Sequence, residues 1–335
     1  MRPGQWQPEV PYLNTASVGL PPRVAWDALQ QALSDWRAGR GVWEDWSEST
    51  GRARAAFARL VGVGEDAVAV GATAAELVGL VAAAVPPGSR VLTAAGDFTS
   101  ILFPWVAQGH DVRAVPLDQV PSAVDAATDV VAVSAVQSAN GAIADLAAIR
   151  EAAGDALVVV DATQAVGWLP LNLADFDATV CGGYKWLMAP RGTAFLTVGP
   201  RLADRVPPLH ASWFAADDVH GSYYGLPMNL ASSARRLDTS PAWFSWVGAA
   251  PALELVNELG VAAINEHDVG LANRFRAGLG LEPGVSSIVA TDVPHAAQRL
   301  EAAGVRAATR AGSLRASFHV YNTDADVDAA LDALT

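Results

Sequence analysis

The chain has 335 residues, 51% hydrophobic and only 17% charged, which suits one large α/β unit or two domains around a sizeable core. Its formal net charge of −13 argues against nucleic acid and anionic membranes as partners, and its single cysteine, Cys181, excludes an intrachain disulfide. No apolar run spans a bilayer, since "LVGLVAAAV" stops at Pro86, and the opening "MRPGQWQPEVPYLN" has no apolar signal core, so a reducing cytoplasm is the expected location.

Two helices are predicted first. Residues 22–37 place Val24, Leu29, Leu33 and Trp36 at helical spacing, and residues 45–61 end in "FARLVGVG", whose glycines supply a C-cap. Strands and helices then alternate. "AVAVG" (67–71) precedes "TAAELVGLVAAAV", and "RVLTA" (90–94) precedes "SILFPWVAQG". "DVRAVPL" and "DVVAVSAV" (129–136) read as strands, followed by a helix over 145–153. "ALVVVDATQAVG" holds a continuous apolar strand ending at Asp161, and "ATVCGGYK" and "GTAFLTVG" read as two more. Continuous Val-rich strands separated by helices predict an α/β fold with a mostly parallel sheet covered on both faces. Such sheets bind ligands beyond the carboxyl ends of their strands, where Asp161 is expected, and Gly71, Asp97 and Gln137 with it. After "ASSARRLDTSP" the pattern changes. Long helices over 242–278 lead to strands near 286–290, 305–308 and 314–319, alternating with helices over 294–303 and 324–334. This divides the chain into an N-terminal segment (1–20), a large domain (21–241) and a smaller C-terminal α/β domain (242–335).

The chemistry centres on "GGYKWLMAP". Lys185 is the only lysine; the other 21 basic residues counted as Lys+Arg are arginines. A guanidinium stays protonated, whereas a buried amine can lose its proton and attack a carbonyl. Asp161, behind "LVVV", needs a cationic partner to stay ionised. Thr73, in "GAT", opens a helix whose N–H groups and hydroxyl suit a phosphate. A lysine, a strand-end aspartate and a phosphate cradle together meet the needs of pyridoxal phosphate. Other signatures fail. "GVGEDA" (62–67) follows a helical pattern and not a strand, the six histidines form no metal-binding spacing, and no G-x-S-x-G elbow is present.

Seven motifs in order, "VGATAAEL", "DFTS", "VQSANGAIADL", "VVVDATQAVG", "GGYKWL", "LDTSPAW" and "RASFHVYNT", carry a resemblance to the class V aminotransferase family of fold-type I pyridoxal phosphate enzymes. The resemblance covers nearly the whole chain. It implies a large domain with a seven-stranded, mostly parallel sheet and a homodimer with sites at the interface. It makes Lys185 the cofactor-bearing and catalytic lysine and Asp161 the partner of the pyridine nitrogen. Gln164 is implied to bond the phenolic oxygen, Ala72 and Thr73 the phosphate, and Phe98 to stack on the ring. Tyr184 is implied to contact the phosphate, and Ser240 to reach that of the partner subunit. Arg315 is implied to hold the substrate carboxylate, a bidentate task suited to arginine. Asn14 lies where the N-terminal segment lines the substrate site. The contact at Gln137 and Ser138 stays open.

One departure narrows the reaction. Desulfurases of this family carry a nucleophilic cysteine shortly before the C-terminal arginine, whereas "GVRAATRAGSLRAS" has none. Elimination, transamination, racemisation and hydrolytic cleavage remain. Within the family the chain resembles the C–S lyases of ergothioneine biosynthesis, which implies an amino-acid substrate bearing a trimethylammonium group. Such cations bind aromatic faces, and Trp213 and Tyr223 are the chosen candidates, with Trp43, Trp46, Phe214 and Tyr224 beside them. A kynureninase-like hydrolase and an aminotransferase or epimerase are the alternatives.

Overall fold

The structure is a computed structural model and describes residues 4–334, so the first three residues of the N-terminal segment lie outside it. The helices are α1 (Arg23–Arg37), α2 (Trp43–Val61), α3 (Ala74–Ala82), α4 (Thr99–Ala107), α5 (Val120–Ala123), α6 (Leu146–Ala153), α7 (Trp243–Leu259), α8 (Val261–Gly278), α9 (Ala296–Ala302) and α10 (Asp324–Leu334). The strands are β1 (Val68–Gly71), β2 (Arg90–Ala94), β3 (Asp111–Val115), β4 (Val130–Ser134), β5 (Leu157–Asp161), β6 (Ala178–Gly182), β7 (Ala194–Val198), β8 (Ile288–Thr291), β9 (Ala308–Arg310) and β10 (Ser313–Ser317).

Strands β1 to β7 form one seven-stranded sheet in the order β1-β7-β6-β5-β4-β2-β3. All run the same way except β7, which is antiparallel to both β1 and β6. The Val-rich strands are apolar throughout because each face is covered. Val131, Val133, Val158 and Val160 pack with Phe57, Ile149, Trp246 and Leu253 on one side. Val130, Ala132, Leu157 and Val159 pack with Leu77, Leu80, Ile101 and Trp105 on the other. A second, antiparallel sheet, β8-β10-β9, is covered by α8, α9 and α10 through Phe275, Leu300, Val327 and Leu334.

The helical stretch 242–278 is broken. At Gly260, φ +81°, the chain bends by 83° between α7 and α8. Trp246, Ala250, Leu253 and Val256 of α7 lie in the core of the large sheet, while Leu271, Ala272 and Phe275 of α8 lie in that of the small one. Most of α7 thus serves the large sheet and the later turns of α8 the small one, while Ile264 early in α8 still packs in the large core. Hydrophobic periodicity gives a helix its buried face but not the sheet it packs on.

The N-terminal segment joins the two units. Leu13 N–H donates to the Arg306 carbonyl (2.7 Å), and Ser317 N–H donates to the Leu13 carbonyl (2.9 Å). Farther on, Gly19 N–H donates to the Tyr184 carbonyl (2.9 Å). A Cβ at residue 19 would lie 2.0 Å from the Lys185 carbonyl oxygen, so only glycine lets the segment lie this close.

A buried ion pair secures the route from the large sheet to α7. Arg54 of α2 donates to Asp238 (2.6 Å), whose other carboxylate oxygen accepts the Val70 N–H (2.8 Å). Both side chains are nearly inaccessible, 8% and 0% exposed. Arg54→Met leaves the Asp238 carboxylate buried without its cation and should destabilise the fold by about 3–5 kcal/mol. Chemical denaturation of the two proteins checks this; an unchanged midpoint would refute it.

Candidate active site

The parallel strands β4, β5 and β6 end side by side at Ser134, Asp161 and Gly182, and all three residues line one cavity. The loop after β6 is folded tightly: Gly183 N–H donates to Thr193, Met188 N–H to Lys185 and Ala189 N–H to Gly183. This turns Lys185 back over the strand ends. Trp186 anchors the next position, packing on Trp168 and donating its indole N–H to Gln164 Oε1 (2.8 Å).

Most of the sequence-derived residues meet here. Lys185, Asp161, Gln164, Ala72, Thr73, Phe98 and Tyr184 all line the cavity. The Lys185 Nζ lies 5.4 Å from the Phe98 ring centre and 5.7 Å from that of Tyr184. Asp161 Oδ1 accepts the Thr163 N–H (2.9 Å), and Thr163 Oγ1 accepts the Gly182 N–H (2.9 Å), so the carboxylate is braced to both strands. Thr73 caps α3 by accepting the Glu76 N–H, and the Glu76 carboxylate accepts the Ala72 N–H (2.9 Å). These two bonds leave other N–H groups of the helix start for an anion.

The electrostatics follow from burial. Lys185 is 6% exposed, and burial lowers its amine to about 8. Asp161 pulls it back up, while Arg315 and Arg310 push it down. Burial raises Asp161, against the Thr163 hydrogen bonds and the Lys185 charge. Asp97, on the loop after β2, is raised to about 6 by burial, opposed by hydrogen bonds from Ser134 N–H and Gln137, with Asp161 adding repulsion.

Other residues sit differently from expectation. Gln164 is already committed: Trp186 fixes its oxygen, and its NH2 donates to the Ala16 carbonyl (3.0 Å) and Ser138 Oγ (2.9 Å). The two residues whose contact stayed open differ in position. Ser138 lines the cavity, whereas Gln137 turns to Asp97 and the Ala95 carbonyl. Arg315 lies behind the lining, 1% exposed, donating to the Ser138 carbonyl (2.5 Å) and to Ser17 Oγ (2.7 Å). Asn14 bridges to Ser317, and its Oδ1 is buried without a partner.

Ser240, Trp213 and Tyr223 do not join this cavity. Ser240 is exposed, just before α7. Trp213 and Tyr223 pack edge-on against Trp43, with ring centres 5.3 and 6.3 Å away, and Trp43 stacks on Trp243. Aromatic composition marked the segment but not its position relative to the strand ends. Among the cavity residues that went unforeseen, one carries charge. Arg191 lines the cavity and places its guanidinium carbon 5.0 Å from the Tyr184 ring centre. A basic residue six positions after the lysine, in the same tight loop, was the available signal.

The profile of the class V aminotransferase family, "Aminotransferase class-V", matches residues 12–300. The chain belongs to the class V aminotransferase family. Among its relatives, the uncharacterized aminotransferase YcbU of Bacillus subtilis is 28% identical over 87% of this chain and 85% of its own length. Isopenicillin N epimerase of Streptomyces clavuligerus is 28% identical over 98% of this chain and 96% of its own. The cystine C–S lyase C-DES, solved with its product cysteine persulfide, shares the fold, with a TM-score of 0.87 and 19% identity over 97% of both chains. The cofactor of this class V enzyme is pyridoxal phosphate, and the site fits it. A buried amine of lowered basicity, a buried carboxylate braced by Thr163, a helix start and a half-exposed Phe98 surround one cavity.

Proposed function

We propose that this class V enzyme is a pyridoxal-phosphate-dependent C–S lyase acting on hercynylcysteine sulfoxide. Cleavage of the Cβ–S bond releases pyruvate and ammonia and leaves the sulfur on the imidazole as a sulfenic acid, the precursor of ergothioneine.

One observation carries the choice. Between β9 and β10 the chain makes only a two-residue turn, Ala311-Gly312, with φ +48° and +90°. There is no loop here to carry a thiol to the substrate. Cys181, the only cysteine, is buried within β6, and burial pushes its thiol well up. A thiol kept protonated and enclosed is a poor nucleophile. This argues against transfer of sulfur to the protein, so that a Cβ–S bond would be broken by elimination instead.

When bound, the cofactor supplies an electron sink for the charge developed at Cα. The residues of the chain do the rest. Arg315, now bonded to Ser138 and Ser17 just behind the lining, would hold the substrate carboxylate. Lys185, as a neutral amine, would take the Cα proton. Asp161 would hold a proton on the ring nitrogen, and Phe98 would lie against the ring. Ser240 and the aromatic group around Trp213 and Tyr223 stand outside the chain's own cavity, so this reading assigns them to the cavity of a second protomer in a homodimer.

The test is pyruvate release by the holoenzyme from the betaine–cysteine sulfoxide conjugate, with L-cysteine and L-kynurenine alongside. Pyruvate from the conjugate alone is expected. Anthranilate and alanine from kynurenine would instead establish a kynureninase-like hydrolase, a reading favoured by Phe98 beside Tyr184. A keto acid or the D-isomer without C–S cleavage would establish an aminotransferase or epimerase.

A further inference from the structure

Two guanidiniums meet beside the cavity with no carboxylate between them. Arg315 leaves the middle of β10, and Arg310 ends the neighbouring strand β9. Both point Nη2 at one hydroxyl: Ser17 Oγ accepts from Arg315 at 2.7 Å and from Arg310 at 3.1 Å. This occupies both lone pairs and leaves the hydroxyl hydrogen to donate elsewhere. Arg310 otherwise donates to the Thr309 carbonyl. The Arg315 Nε is buried with no acceptor. Among the described residues neither arginine forms an ion pair with a carboxylate, although Arg54, Arg52, Arg150, Arg201 and Arg274 all do.

This arrangement is unfavourable by itself. A buried cation is ordinarily paired, and each guanidinium repels the other. Burial and then the Arg310 charge bring Arg315 down to about 10. Arg310 is exposed and could extend into solvent, yet it bends toward the buried cation and its serine. An anion arriving from outside relieves both problems. One carboxylate satisfies one guanidinium through a forked pair of bonds. The second guanidinium then calls for a second anionic group.

We propose that Arg310 is a substrate-recognition residue which, with Ser17 and Arg315, makes the site selective for molecules carrying two carboxylates. The conjugate proposed above has two, one on the cysteinyl half and one on the betaine half. The inference deepens that reading and rests on it only for the identity of the substrate.

The test needs no turnover. Holoenzyme is titrated with succinate, glutarate, adipate and pimelate, each against the monocarboxylate of the same chain length, by calorimetry and by the visible absorbance of the bound cofactor. The best diacid is expected to bind roughly ten- to a hundredfold tighter than its monoacid, the range of one charge-assisted hydrogen-bonded contact. Arg310→Gln should erase that preference, weakening the diacid far more than the monoacid. Arg310→Lys, which keeps charge but loses the fork, should recover only part of it. A wild-type enzyme without diacid preference, or a preference that survives Arg310→Gln, overturns the proposal. An Arg310-dependent preference in an enzyme that releases no pyruvate from the conjugate would sink the lyase reading and leave this one standing.

Discussion

Replacing Lys185 by alanine lowers kcat by roughly 10²–10⁴-fold through the lost proton transfer alone, and the protein no longer holds its cofactor covalently. Both follow from one amine. It is the only lysine in the chain, it is 6% exposed, and it faces Phe98 and Tyr184 across the cavity. Its pH dependence separates this role from a structural one. Burial lowers the amine to about 8, so the protonated form dominates below that pH and the neutral form above it. Only the neutral form attacks a carbonyl. The rate at which apoenzyme takes up pyridoxal phosphate should therefore rise about tenfold per pH unit on the acid side and level off above about pH 8. Stopped-flow absorbance measures this, and a rate that stays flat through neutral pH would exclude Lys185 as the nucleophile.

Asp161→Asn is the second large effect. The carboxylate is buried, braced by the Thr163 N–H, and placed at the end of β5 in the cavity. An opposite charge at this range shifts a pKa by about 1–3 units. Losing it lowers the protonated fraction of the ring nitrogen, and with it kcat, by roughly 10–10³-fold. Asparagine keeps the size and can still accept the Thr163 N–H. The thermal midpoint should hold or rise, because burying the carboxylate is itself unfavourable without cofactor. A fall in stability matching the fall in kcat would make Asp161 a structural residue.

Local chemistry in the sequence carried most of the large sheet. Apolar runs such as "VVAVS" and "LVVVD" mark β4 and β5, and the ends of the strands predict the cavity. Short strands were overrun at polar or glycine ends: β6 stops at Gly182, before the lysine loop, and β3 stops before Pro116, which has no N–H to donate. Strand direction was not legible. β7 reads like its neighbours because it is equally buried, yet it inserts antiparallel between β1 and β6. Lys185, Asp161 and Thr73 are legible from single motifs, since each lies at or just beyond the end of a strand. Arg310 and the true place of Trp213 were hidden, because their positions depend on pairings between distant segments.

The strap formed by residues 13–19 has a consequence for how the enzyme comes into being. Leu13 bonds with Arg306 and Ser317, Thr15 with Tyr321, and Gly19 with Tyr184. None of the first three contacts can form until the ribosome has delivered almost the entire chain. The large sheet can condense early from segments close in sequence, but closing the chain's ends on each other carries the greatest loop-closure entropy and comes slowly. The lysine loop shares this lateness, because the Trp186 carbonyl accepts from His319 Nε2 (3.0 Å). A nascent or truncated chain can own every strand of the sheet and still lack a working lysine.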